Sequence, residues 1–155
     1  MTKTTKAGKT AQPDALKLTD FLCFAVYSAN LTFGKAYKPL LDALGLTYTQ
    51  YITVVALYED SNQTVSELGE KLFLESNTLT PILKKLESAG YVSRERDSAD
   101  ERRVIVNLTK QGRALRERAY SADLSEACGL SMAEFVETRD AVLKLRNNLA
   151  KALHK

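Results

Sequence analysis

The feature that most constrains this chain is a run of signals between Thr64 and Thr109. Thr64-Val65-Ser66-Glu67 has the spacing of a capping box, in which a Thr hydroxyl and a Glu carboxylate satisfy each other's free backbone donors. The box predicts a short helix over 65–72. Phe73–Glu75 reads as a turn, and a second helix follows over about 76–88, stopped by Gly90. Pro81 is awkward there, because proline fits best in a helix's first turn. Its position predicts either a start near Thr78 or an irregular first turn. Tyr91–Arg96 and Arg103–Leu108 then read as two strands, the second β-branched and alternating at its end. The polar link over 97–102 is their turn.

The flanks are helical. From about Leu16 to Leu44, Leu18, Leu22, Ala25, Ala29, Ala36, Leu40 and Leu44 recur at near-helical spacing. Gly34 is a candidate kink, and Gly45 is a stop. Thr47 caps a further helix, with Tyr51, Val54, Val55 and Tyr58 on one face. Thr109 caps a charged helix reaching about Ala127. Ser131 caps the last helix, with Phe135, Val142 and Leu149 at heptad spacing. The order predicts a mainly α fold with a small β-hairpin wing, a winged helix-turn-helix. Residues 1–13 read as a flexible tail and 14–155 as one domain. Within it, 63–109 form the winged unit, and 14–62 and 110–155 supply dimerisation helices. Two amphipathic stripes at opposite ends of a chain need a partner surface, which predicts a homodimer.

Composition excludes several classes. The chain carries 22 Lys and Arg against 19 Asp and Glu. Lys3, Lys6 and Lys9 lie in the tail, so residues 14–155 are balanced at 19 of each sign. A broadly basic nucleic-acid coat is excluded; a locally basic reader is not. The apolar run Phe21–Tyr27 spans seven residues, far short of the roughly 18–20 that a membrane span needs. The N-terminus lacks an apolar signal core, which predicts a cytoplasmic protein without a membrane partner. Two cysteines 105 positions apart do not make a disulfide framework, and the one His, His154, is next to the C-terminus. No metal cluster, Ser-His or Cys-His pair or phosphate-binding glycine motif is visible, so neither a metal nor an organic cofactor is expected.

The second helix of such a pair presents its N-terminal residues to the major groove. Here these are Ser76, Asn77, Thr78 and Thr80, with the phosphate-neutralising Lys84 and Lys85 further along. The hairpin carries Arg94, Arg96, Arg102 and Arg103 among Asp97, Asp100 and Glu101. A guanidinium on a protruding loop suits a narrow A·T-rich minor groove, and Asp100 is placed to orient Arg102. The blander account is a solvated hairpin and ordinary caps.

Cys23 lies in an aromatic setting with Phe21, Phe24 and Tyr27, and eight of the twelve aromatics fall between Phe21 and Tyr58. A peroxide sensor needs a thiolate, which attacks the peroxide oxygen and becomes a sulfenic acid. Burial alone opposes this, so something must donate hydrogen bonds to sulfur; tyrosine phenols can. The blander account is a small core residue among packing rings.

The run "TVSELGEKLFLESNTLTPILKKLESAGYVSRERDSADERRVIVNLT" closely resembles the winged-helix core of the MarR family of dimeric bacterial repressors, with "DERRVIVNLT" as its wing signature. "DFLCFAVYSANLTFGKAYKPLLDALGLTYTQY" is similar to the first two helices of the organic-hydroperoxide-sensing, OhrR-type branch. The resemblance implies a non-enzymatic repressor that binds an A·T-rich inverted repeat when reduced. It implies release when an organic hydroperoxide oxidises Cys23. By the same resemblance Asp100 and Arg102 are the wing pair, and Tyr37 and Tyr48 donate to the thiolate with Tyr27 nearby. In two-cysteine members a cysteine at the position of Cys128 resolves the sulfenic acid as a disulfide between subunits. Cys23 and Tyr37 are 14 residues apart, about 21 Å along a straight helix. Either the helix breaks near Gly34 or Tyr37 comes from the other subunit.

Three other readings remain open at this level. A MarR-type repressor released by a small phenolic ligand would use the same pocket, with the cysteines incidental. A thiol peroxidase lacks a Thr-x-x-Cys or Cys-x-x-Cys motif here. A winged-helix protein adaptor has no need of an arginine-bearing wing.

Overall fold

A computed structural model describes residues 17–120 and 128–153. The expected tail and the end of the helix predicted to reach Ala127 lie outside the described residues. By contacts the chain divides into two compact units, Met1–Lys35 and Ala36–Lys155. The first holds a 3₁₀ turn at Leu18–Asp20, where the Lys17 amide donates to Asp20 Oδ2 at 2.9 Å, and the beginning of α1 (Leu22–Leu44). Helical residues continue without interruption through Gly34 and Pro39.

The second unit holds α2 (Tyr48–Glu59), β1 (Gln63–Thr64), α3 (Val65–Leu72), α4 (Ser76–Ser88), β2 (Val92–Arg96), β3 (Val104–Leu108), α5 (Lys110–Tyr120) and α6 (Met132–Leu153). α3 falls where its capping box places it. The Thr64 amide donates to Glu67 Oε2 at 2.7 Å, and the Glu67 amide donates to Thr64 Oγ1 at 3.1 Å. α4 spans the expected 76–88 with Pro81 inside it, so of the two accommodations for that proline the later start at Thr78 is not the one adopted. Its first turn is tight: the Thr78 and Leu79 amides both donate to the Glu75 carbonyl at 2.9 Å. Pro81 has no N–H for the Asn77 carbonyl, so the helix loses one rung just beyond that turn. α4 ends before Gly90, whose φ of 78° lies in the left-handed region that glycine enters without penalty.

The expected hairpin is present, with Val92 opposite Leu108 and Arg96 opposite Val104. A third strand, β1, pairs antiparallel with β3 and gives the order β1-β3-β2. The Asn62 amide donates to Asn107 Oδ1 at 2.8 Å, and Asn107 Nδ2 returns a bond to Asn62 Oδ1 at 2.9 Å. This pair ties the start of β1 to β3.

The core of this unit sits where α2, α3, α4 and α5 meet the sheet. Leu57, Leu68, Leu79, Leu83, Leu86, Val106 and Leu115 are all essentially inaccessible. Each such leucine contributes about 1.5–3 kcal/mol relative to an exposed one. α2 buries Thr53, Val54, Ala56 and Leu57, while Tyr58 is exposed. The buried stripe is therefore rotated from the expected Tyr51–Val54–Val55–Tyr58 face. Packing against several elements moves it, and Thr53 joins it because its hydroxyl donates to the Thr49 carbonyl at 2.7 Å.

Candidate functional site

The helix-turn-helix presents the start of α4. Ser76, Asn77 and Thr78 are exposed there, as are Lys84 and Lys85 two turns on. Thr80 is half-buried, and its hydroxyl is committed to the Ser76 carbonyl at 2.7 Å. The Thr78 hydroxyl donates to Asn77 Oδ1 at 3.2 Å, which orients the amide.

The hairpin arginines divide into two kinds. Arg94 reaches back to α4, where its Nε donates to Glu87 Oε2 at 3.0 Å and Nη2 shares the same oxygen. That hydrogen bonding holds the Glu87 carboxyl below its usual range. Arg103 lies 3.8 Å from both Glu67 on α3 and Asp97 at the end of the wing. Glu67 is itself held low, first by the Thr64 amide, then by the Thr64 hydroxyl, and only lastly by Arg103. Arg102 is presented to solvent, with 91% of its side chain exposed. Asp100 Oδ1 accepts from both its backbone N–H at 3.1 Å and its Nε at 3.2 Å. The expected orienting role thus has a geometry, with a single carboxylate oxygen gripping both ends of the residue. Arg96 is exposed. The wing turn is closed by the Asp97 amide donating to the Arg103 carbonyl at 2.9 Å.

The thiol region lies in the first unit. Cys23 is a free, exposed thiol in the first turn of α1. It lines an open cavity of about 350 Å³ with Leu18, Phe21, Phe24 and Tyr27. Phe21 and Tyr27 are both well exposed. Tyr37 and Tyr48 belong to the second unit, where their rings meet edge to face at 5.2 Å. Burial, and secondarily the neighbouring Tyr51, pushes the Tyr48 phenol above its usual range, so it stays protonated and able to donate. Cys128 is a half-buried free thiol three residues before the Ser131 cap of α6. Among the described residues, no group of three His, Cys, Asp or Glu side chains is placed to hold a metal ion.

Sequence reasoning missed three residues in these regions. Glu87 and Glu67, the partners of Arg94 and Arg103, are set by the fold's register. Tyr51, 6.1 Å from Tyr37, had a signal in its three-residue spacing from Tyr48.

Residues 35–118 match the family model for the transcriptional regulator SarA/Rot. The chain belongs to the SarA/Rot-type winged-helix regulators of the MarR family. This regulator is 45% identical over 106 residues to the organic hydroperoxide resistance transcriptional regulator of Bacillus subtilis, a match covering 68% of this chain and 72% of that one. It is 37% identical over 134 residues to the transcriptional regulator SarZ of Staphylococcus aureus, covering 86% and 90% of the two. Among solved structures it is similar to AbfR of Staphylococcus epidermidis. Against reduced AbfR bound to DNA the TM-score is 0.74 at 35% identity, covering 89% of this chain and 96% of that one. Against disulfide-formed AbfR the TM-score is 0.63 at 36% identity, covering 89% and 93%. These relatives are regulators and not enzymes, which removes the thiol peroxidase reading.

Proposed function

We propose that this regulator is a homodimeric, redox-responsive repressor that works in the cytoplasm. In its reduced form it binds an A·T-rich inverted repeat through α4 and the wing, as one folded domain from about residue 14 onward. Ser76, Asn77 and Thr78 meet base edges or phosphates, Lys84 and Lys85 neutralise phosphate, and Arg102, gripped by Asp100, enters the minor groove. Arg94 and Arg103 hold the wing to α4 and α3. Dimerisation draws support from the apolar side chains exposed on the outer helices, including Leu22, Val26, Leu31 and Phe33 on α1 and Val136, Val142 and Leu149 on α6.

The observation that carries the redox reading is a free thiol in an otherwise apolar, aromatic cavity, in a chain whose relatives include a hydroperoxide-resistance regulator. An apolar wall favours alkyl or lipid hydroperoxides over hydrogen peroxide. The Cys23 thiolate attacks the terminal peroxide oxygen. An S–O bond forms, the O–O bond breaks, and the alkoxide takes up a proton and leaves as the alcohol. Tyr37 and Tyr48 donate to the sulfur. The resemblance to the hydroperoxide-sensing branch makes the partner subunit the source of Tyr37. The thiol of the partner's Cys128 then attacks the sulfenic sulfur, expelling water and leaving a disulfide.

The test is a gel shift with operator DNA, with and without cumene hydroperoxide, for wild type and Cys23→Ser. Wild type should release DNA and Cys23→Ser should not. If the serine variant is released equally, the thiol is not the sensor. Release of both by a small phenol in place of peroxide makes the cavity a ligand site. On a non-reducing gel the oxidised wild type should run as a covalent dimer that Cys128→Ser lacks.

A further inference from the structure

We infer that Tyr51 is a positioning residue of the thiol site, seating the Tyr37–Tyr48 ring pair against the core of the second unit. The inference rests on the donor reading above and extends it to a residue that touches neither the thiol nor the peroxide.

Tyr48 is the first residue of α2 and is 42% exposed, while Tyr37 lies on a different helix and is half-buried. Their contact is edge to face, with ring planes at 64°. Such a pair is worth about 0.5–1.5 kcal/mol beyond the area it buries, so neighbouring packing contributes to how the two rings are held. Tyr51 is three residues after Tyr48, on the same face of α2. Its ring centroid is 6.1 Å from that of Tyr37, with the planes tilted by 42°. Both Tyr51 and Tyr37 pack against the buried cluster that contains Leu41, Leu46, Val54 and Leu57. The three rings therefore form a chain that starts in the core and ends at the exposed phenol. Donors stabilise a developing or resident anion best when they are already in place, because no reorganisation is then needed.

The experiment uses the reduced full-length dimer and follows alkylation of Cys23 by iodoacetamide across pH. Variants are Tyr51→Leu and Tyr51→Met, which remove the ring, Tyr51→Phe, which keeps it, and Tyr37→Phe. Tyr58→Leu removes a ring elsewhere on α2. Operator binding by each reduced variant reports the fold, and whichever of the leucine and methionine variants binds operator is read. Ring removal should slow alkylation near neutrality about tenfold and move the profile toward higher pH by about one unit. Tyr51→Phe and Tyr58→Leu should follow wild type. A wild-type profile in the ring-removed variant overturns the inference, as does a Tyr51→Phe profile shifted equally far. If Tyr37→Phe leaves alkylation unchanged, the donor reading itself fails. If Tyr37→Phe slows it and ring removal at 51 does not, only the positioning role fails.

Discussion

Gly112→Ala is the substitution whose cost the structure specifies most directly. Gly112 is buried in the first turn of α5, against the residue that precedes β2. A Cβ there would stand 2.1 Å from the Tyr91 carbonyl oxygen and 3.0 Å from Leu108 Cδ2. The leucine methyl can swing away, but the carbonyl belongs to backbone. It also accepts the Thr109 amide at 3.0 Å, and the Thr109 hydroxyl spans Gly90 and Gly112. Relief demands a shift of about 1 Å between α5 and the hairpin. Overpacking of this kind costs about 1–3 kcal/mol. Weakening the Thr109 bond adds about 1 kcal/mol. The better helix propensity of alanine returns less than about 1 kcal/mol. The net loss is about 1–3 kcal/mol, or roughly 2–12 °C in Tm for a chain of this size. The assay is thermal unfolding of the reduced protein at one fixed protomer concentration, beside Lys110→Ala as a neutral neighbour. Operator affinity should fall as well, because the displaced hairpin carries the wing. A Tm within about 1 °C of wild type would refute the close approach.

Thr64→Ala removes the capping box of α3 and should cost about 1 kcal/mol in urea unfolding, with an unchanged slope. Glu67→Gln keeps that box but removes its titration. Because the folded Glu67 is held below its usual range, its stabilisation is complete above the ordinary carboxylate range and is lost as pH falls through the lowered value. Wild type should therefore lose more stability on acidification than Glu67→Gln, and parallel acid limbs would contradict the shift. Arg102→Ala should weaken operator binding by about 1–3 kcal/mol by fluorescence anisotropy, and an unchanged affinity would take it out of the interface. With Lys84, Lys85, Arg96 and Arg102 as the cations released to DNA in each protomer, log K should fall with log salt at a slope of about −7; a slope near −11 would mean that Arg94 and Arg103 also leave their carboxylates.

What was legible in the sequence follows from how local each signal is. α3 was placed to the residue, and α4 closely with its start left open by Pro81, because a capping box, a turn and Gly90 act within a few positions of the chain. The hairpin was placed within one residue by its β-branched alternation. β1 was invisible, since two residues carry no period and pair only because β3 is beside them. The buried face of α2 was misjudged because it depends on which elements surround it, and the hydroxyl of Thr53 hid a core position. At the thiol site, the aromatic company of Cys23 could be read from adjacent residues. The meeting of Tyr37 and Tyr48 at 5.2 Å in the second unit had no such local signal, since it joins two helices, and the family resemblance implied a donor role for each without a contact between them.

The arrangement of cations accounts for a balanced folded region in a protein of this family. Arg94 and Arg103 are spent on Glu87 and on Glu67 with Asp97, so two of the four hairpin arginines fix the wing against α4 and α3. Part of the acidic complement that balances the charge, Glu67, Glu87 and Asp97, also orients the wing. Even Asp100, which offsets Arg102, fixes the direction in which that guanidinium leaves the surface. A reader built this way has little general attraction for phosphate. In the proposed dimer its affinity depends on the separation and angle of two wings and two α4 helices, and on few cations at each. Such binding is lost when those angles change, even if no contact residue is altered. That sensitivity is what a repressor needs if one oxidised thiol per subunit is to release it.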